Sequence, residues 1–212
     1  MLIAPSILNA NFGQLQAEID SIKTADRIHL DIMDGHYVPS LTIGAGLLKS
    51  IDFHGMPVEV HLMVNEPENF FYDFLELGVM GITFHIENTG TAKALELLAD
   101  LKSCGVAAGV CIDGYTSSDF LSDEILDLAD QILVMGVKAG AGGQPFMPEA
   151  LEKIKKIRAR GYKKEIELDG GAKLDNMADI KAAGCDISVV GSYLMKVGVK
   201  ERQERLKNLQ AI

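Results

Sequence analysis

Apolar residues gather in eight short runs, at 2–4, 28–32, 58–63, 81–84, 106–112, 131–135, 165–168 and 187–190, each rich in Ile and Val and without strict alternation. Strands buried on both faces of a parallel sheet have this pattern. Between the runs lie stretches whose apolar positions recur at helical spacing, at 15–24, 69–77, 92–103, 148–160 and 176–183, with a last one at 200–209. Gly78, Gly105, Gly161 and Gly184 follow four of these stretches, where a residue tolerant of positive φ ends a helix and opens the turn into the next strand. Strand and helix alternate throughout, which predicts an α/β fold. Eight evenly spaced units without an insertion favour a closed (β/α)8 TIM barrel over an open sheet.

A chain of 212 residues has the size of one such barrel, and no linker or low-complexity stretch divides it, so residues 1–212 are expected to form a single domain. Hydrophobic residues at 48% and charged residues at 24% exclude a disordered chain. No segment approaches the roughly 20 apolar residues of a membrane span, and the start M-L-I-A-P-S-I-L has no basic leader, so no membrane association and a cytoplasmic location are expected. A net charge of -10 with scattered lysines argues against a nucleic-acid partner. It does not exclude a small phosphate, which backbone N–H groups can hold regardless of net charge. Cys104, Cys111 and Cys185 form no C-x-x-C pair and are expected to be reduced core thiols.

In a closed barrel the chemistry sits at the C-terminal ends of the strands. Four ionisable residues fall there: His29 and Asp31 in R-I-H-L-D-I-M-D-G, His61 in V-E-V-H-L-M-V, and Asp169 in I-E-L-D-G-G. His29 and Asp31 are two apart on a strand, so they share a face, here the barrel interior. Taken singly, each could be a hydrogen-bonded core residue or a loop cap. Together, two imidazoles and two carboxylates make a nitrogen and oxygen donor set suited to one divalent ion, Zn, Mn, Fe or Co, because burying several carboxylates without a cation costs several kcal/mol each. Gly140 to Gly143, Gly170 with Gly171, and Gly191 with Ser192 follow strands six, seven and eight, and each offers unobstructed N–H groups to a phosphate.

The stretches A-P-S-I-L, H-L-D-I-M-D-G-H-Y-V-P, L-T-I-G, V-H-L-M-V, A-G-A-G-G-Q-P-F, L-D-G-G and V-V-G-S occur in this order along nearly the whole chain, and together they resemble the ribulose-phosphate 3-epimerase family. The resemblance implies a ribulose-phosphate-binding barrel with His29, Asp31, His61 and Asp169 as metal ligands, and Asp31 and Asp169 as the acid/base pair that inverts C3 of a ketose phosphate. It further implies Ser6, Met33, Met63, Met135, Gly140, Gly142, Gly143, Gln144, Gly170, Gly171, Gly191 and Ser192 around the substrate, and a place in the pentose phosphate pathway. His36 and His85 match family positions and are expected in structural or supporting roles. A homo-oligomer, dimer or hexamer, is expected.

Three places depart from the family pattern. Asp113-Gly114-Tyr115 stands where an Asn-Pro pair is usual, Lys138-Ala139 replaces an acidic or Asn residue followed by Pro, and Asn9 replaces a common serine. Losing proline is expected to loosen both loops. These changes bear on the substrate: D-ribulose 5-phosphate and D-xylulose 5-phosphate first, then allulose 6-phosphate or a four-carbon ketose phosphate. The competing readings are a decarboxylase or aldolase on a related barrel, which would call for a strand-end lysine, and a non-catalytic phosphosugar-binding protein, which would call for a broken ligand set.

Overall fold

A computed structural model describes residues 1–212. Eight strands form one parallel sheet: β1 (Leu2–Pro5), β2 (Ile28–Met33), β3 (Val58–Met63), β4 (Gly81–His85), β5 (Ala107–Ile112), β6 (Gln131–Met135), β7 (Glu165–Asp169) and β8 (Ile187–Val190). Strands β2 to β8 pair in sequence order, and β1 pairs with β8. The remaining edges meet where Ser6, one residue beyond β1, bridges His29 of β2. The sheet thereby closes on itself, and the (β/α)8 barrel is the fold.

The helices are α1 (Leu15–Asp20), α2 (Ala45–Leu48), α3 (Glu68–Glu76), α4 (Ile86–Ser103), α5 (Asp123–Leu128), α6 (Glu149–Ala159), α7 (Met177–Ala182), α8 (Ser192–Met195) and α9 (Val199–Gln210). Periodicity misses α2, α5 and α8, which have four, six and four residues and are too short to show a 3.6-residue repeat clearly. Helix α4 begins at Ile86 rather than 92, because two helical pieces join across Gly90 at φ 69.

Both faces of the strands are buried, for different reasons. Outward positions such as Ile28, Leu30 and Ile32 of β2 and Val60 and Leu62 of β3 join Phe74 of α3, Leu97 and Leu98 of α4 and Ile154 and Ile157 of α6 in the main hydrophobic cluster. Each such side chain contributes about 1.5–3 kcal/mol by leaving water, so the barrel is held mainly by its jacket of helices. Inward positions, two apart on each strand, can therefore be polar: His29 and Asp31 on β2, Glu59 and His61 on β3, Gln131 on β6, and Glu167 and Asp169 on β7 are all buried. The cysteines divide differently from expectation: Cys111 and Cys185 are buried, whereas Cys104, at the end of α4, is exposed.

Candidate active site at the mouth of the barrel

The polar groups inside the barrel form two layers. The lower layer balances its own charge. Arg27, buried just before β2, donates to Glu59 at 2.9 Å and to Glu165 at 3.3 Å. Gln131 donates to Glu167 at 2.7 Å. Burial opposes ionisation of Glu59, yet His29, a hydrogen bond from Glu167 and the charge of Arg27 bring its pKa down to about 2. Burial and the adjacent Glu59 charge push the Glu167 carboxyl well above the ordinary carboxylate range. The two glutamates thus divide one charge between them.

The upper layer gathers His29, Asp31, His61 and Asp169, with one ligand atom from each lying within 4.8 Å of the others. Strand register explains the gathering: Asp31 pairs with His61 across β2 and β3, and Met135 with Asp169 across β6 and β7. His29 Nε2 lies 3.6 Å from Asp31 Oδ1 and 3.9 Å from Asp169 Oδ2. His61 Nδ1 lies 3.3 Å from Asp31 Oδ1 and 3.5 Å from Asp169 Oδ2. The carboxylates enter from different flanks, since β1 and β8 separate β2 from β7 around the ring.

The layer below orients His29. Its Nδ1–H donates to Glu59 Oε1 at 3.1 Å, because a carboxylate only accepts, and Nε2 then faces the two aspartates with no hydrogen-bond partner although buried. An unpartnered imidazole nitrogen aimed at two carboxylates is the donor arrangement that a divalent cation satisfies, so these residues fit a metal. Burial disfavours a charged imidazole at His29, but the charge that Glu167 shares with Glu59 and the charge of Asp31 outweigh it and hold its pKa well above 6.5. Burial likewise disfavours the Asp31 carboxylate, which His29 and His61 nonetheless hold well below the usual range. Ser6 donates its hydroxyl to Asp31 Oδ2 at 2.5 Å, a further bond to the ionised form.

Above this layer opens a cleft of roughly 430 Å³, counting space open to solvent, lined by Ser6, Asp31, Met33, Met63, Met135 and Asp169 together with Gly140, Gly142, Gly143, Gly170, Gly191 and Ser192. These expected substrate residues are therefore brought together. Gln144 and Gly171 are not on the cleft. Gln144 turns back to donate to the carbonyls of Lys138 and Ala141, both at 2.7 Å, which holds the glycine loop in shape. Gly171, at φ 72, makes room for Phe146, whose Cβ would lie 2.8 Å from any side chain there. His36 is exposed and bonds only within its own turn.

Two features were not legible in advance. Lys196, at the end of α8, places its ammonium beside the glycine loop, where a Cβ on Gly143 would stand 3.1 Å from Nζ. Its position has no motif, since it depends on the turn of α8 bringing residue 196 back over residue 143. The loop after β5 is also held without its proline: Lys153 of α6 donates to the carbonyls of Asp113 and Gly114 at 2.9 and 2.6 Å, and Asp113 Oδ1 accepts from Ala139 N at 3.4 Å. The expected loosening is countered by side-chain bonds that do what a fixed φ would have done.

Solved structures with the same fold span all of this chain: 3-hexulose-6-phosphate synthase at 13% identity and TM-score 0.75, covering 99% of that chain, and the tryptophan synthase complex from Pyrococcus furiosus at 15% identity and TM-score 0.72, covering 98%. At such identities they speak for the barrel alone. Among relatives, the ribulose-phosphate 3-epimerases of Escherichia coli (strain K12) and Serratia marcescens are 41% and 38% identical over 202 residues, covering 91% of this chain and 88% and 94% of theirs. A sequence model of the ribulose-phosphate 3-epimerase family matches residues 2–195. Fold and relatives together define an isomerase built on a (β/α)8 barrel. The chain belongs to the ribulose-phosphate 3-epimerase family.

Proposed function

We propose that this protein inverts C3 of a ketose phosphate, D-ribulose 5-phosphate to D-xylulose 5-phosphate in the first instance, with Asp31 and Asp169 as the acid/base pair. The observation that carries this reading is the set His29, Asp31, His61 and Asp169 at the strand ends of a chain of this family, with the unpartnered His29 Nε2 turned toward both carboxylates.

Inversion next to a ketone requires a proton to leave one face of the carbon and another to arrive on the opposite face. Two carboxylates reaching the substrate from separate flanks accomplish this without turning the planar enediolate between them. Ser6, donating to Asp31 Oδ2, fixes the orientation of that carboxylate, which exchanges a proton with the substrate carbon in the step. Met33, Met63 and Met135 line the cleft with thioethers that exclude water and offer no competing acid. His29, Asp31, His61 and Asp169 would hold a divalent ion, which when bound would supply electrostatic stabilisation of developing negative charge on the substrate oxygens, worth several kcal/mol.

The phosphate end of the substrate is assigned to Gly142, Gly143, Gly170, Gly191 and Ser192, which line the cleft, with the Lys196 ammonium beside Gly143. The absence of lysine from all eight strands weighs against a lyase of the decarboxylase or aldolase type, and the intact ligand set weighs against a non-catalytic role.

The test is proton NMR of ribulose 5-phosphate in D2O with zinc-loaded protein. The reading expects loss of the C3 proton signal with appearance of xylulose 5-phosphate, and loss of both in Asp169→Asn. Carbon–carbon cleavage products, or no exchange at C3 with any ketose phosphate, would overturn it.

A further inference from the structure

His29 and His61 receive different support. Behind His29 stands a carboxylate. Behind His61 stands a second imidazole: His61 Nε2 lies 2.9 Å from His85 Nε2, His85 Nδ1 lies 3.2 Å from Glu87 Oε2, and Glu87 Oε1 accepts from the Asp113 backbone N–H at 2.7 Å. Both histidines are buried, their rings 5.0 Å apart, and Tyr37 covers the His85 ring at 4.9 Å. Between two facing ring nitrogens only one can carry a proton for the contact to be a hydrogen bond, so the proton order of the whole chain is decided at one end.

From this geometry we infer that Glu87 is a positioning residue which, through His85, decides which nitrogen of His61 faces the metal site as a lone pair. It rests on the metal reading above. Glu87 meets the Asp113 N–H and His85 Nδ1–H, with the Thr116 hydroxyl also against its carboxylate, and only an acceptor-only group satisfies the first two together. His85 Nε2 is then a lone pair, His61 must donate to it through Nε2–H, and His61 Nδ1 is turned toward Asp31 and Asp169 for a cation. The same carboxylate holds the first residue of the loop after β5, so ligand orientation and loop position share one anchor.

The isostere Glu87→Gln is the discriminating change, since it keeps size and replaces one acceptor with a donor. If its amide oxygen keeps the Asp113 N–H, its NH2 faces His85 Nδ1. His85 must then carry its proton on Nε2, and His61 must move its own to Nδ1, where the metal should bind. If the amide turns over, the Asp113 N–H meets a donor instead.

The experiment measures zinc and manganese affinity of the full chain by chelator competition, with long-range proton–nitrogen NMR of the imidazoles in the zinc-loaded protein. There are five histidines, few enough to assign. Glu87→Gln is expected to weaken metal binding about 10–100-fold, and Glu87→Asp, still acceptor-only, to recover most of it. The wild type is expected to show His61 protonated at Nε2 and His85 at Nδ1. Equal affinity in Glu87→Gln, or a wild-type His85 protonated at Nε2, would overturn the inference; the second result needs no variant to fold. Wild-type protein that binds metal with the expected tautomers but exchanges no C3 proton would overturn the epimerase reading and leave this one standing. Wild-type protein that binds no divalent ion would end both.

Discussion

The two polar layers inside the barrel use similar residue types and reach opposite balances. In the lower layer Glu59 and Glu167 share one charge, which the buried and permanently charged Arg27 offsets; Gln131 donates to Glu167, and the half-exposed Glu165, which also faces Arg27, keeps contact with water. In the upper layer, the ion-pair partners of Asp31 and Asp169 are His29 and His61 alone. Burying carboxylates against groups that can lose their proton is expensive unless something else supplies the positive charge. The lesson is that buried charge by itself does not mark a site. Charge that the protein does not permanently neutralise does.

The largest way to break this contrast is at the upper layer. Asp169→Asn is expected to lower kcat by about 10³-fold, inside the range for a positioned acid or base, while urea unfolding changes little. A variant as active as wild type would remove Asp169 from the chemistry.

In the lower layer the same logic predicts the reverse outcome. Arg27→Met leaves Glu59 buried without its partner and is expected to cost about 3–5 kcal/mol of stability, read from urea midpoints. A loss below about 1 kcal/mol would show that this layer is not balanced by Arg27.

Lys196 sharpens the comparison at the surface, where a cation without a carboxylate partner stands over the glycine loop. Lys196→Met is expected to raise KM roughly tenfold at low salt with kcat nearly kept, the scale of one charge-assisted hydrogen bond. Lys196→Arg should restore KM. An unchanged KM would place the ammonium in solvent only.

The smallest effect concerns acid stability. Partial burial opposes ionisation of Glu87, but His85, the Thr116 hydroxyl and the Asp113 N–H bring its pKa from 4.5 down to about 2. A value lower in the folded state than in the unfolded one means that this stabilisation is complete above about 4.5 and is lost as pH falls through about 2. Wild-type stability should therefore decline more steeply than that of Glu87→Gln across this interval. Parallel declines would contradict it.

Much of this was readable before any coordinates. The strands were visible because each keeps Ile, Val or Leu on the face its helices cover, even where β2, β3 and β7 turn charged residues inward. The cluster of His29, Asp31, His61 and Asp169 was visible because His29 and Asp31 share parity and because four ionisable residues fall at strand ends. Glu59 and Glu167 were not singled out, since a lone Glu near the start of a strand looks the same whether it faces solvent or a buried arginine. Glu87 lay just past His85 on what periodicity treated as loop, and its role depends on a contact with Asp113, distant in sequence. Gln144 and Gly171 belonged to the right loops, but only the path of the chain shows which members of a glycine turn face the cleft and which make room for Phe146.

Three groups of buried residues have the composition of a metal site: His29, Asp31, His61 and Asp169; His29, Glu59 and Glu167; and His61, His85 and Cys111. Anomalous diffraction at the zinc edge from zinc-loaded crystals separates them in one measurement. The account predicts one peak per chain among His29, Asp31, His61 and Asp169. A peak at either other group, with none among these four, would contradict it.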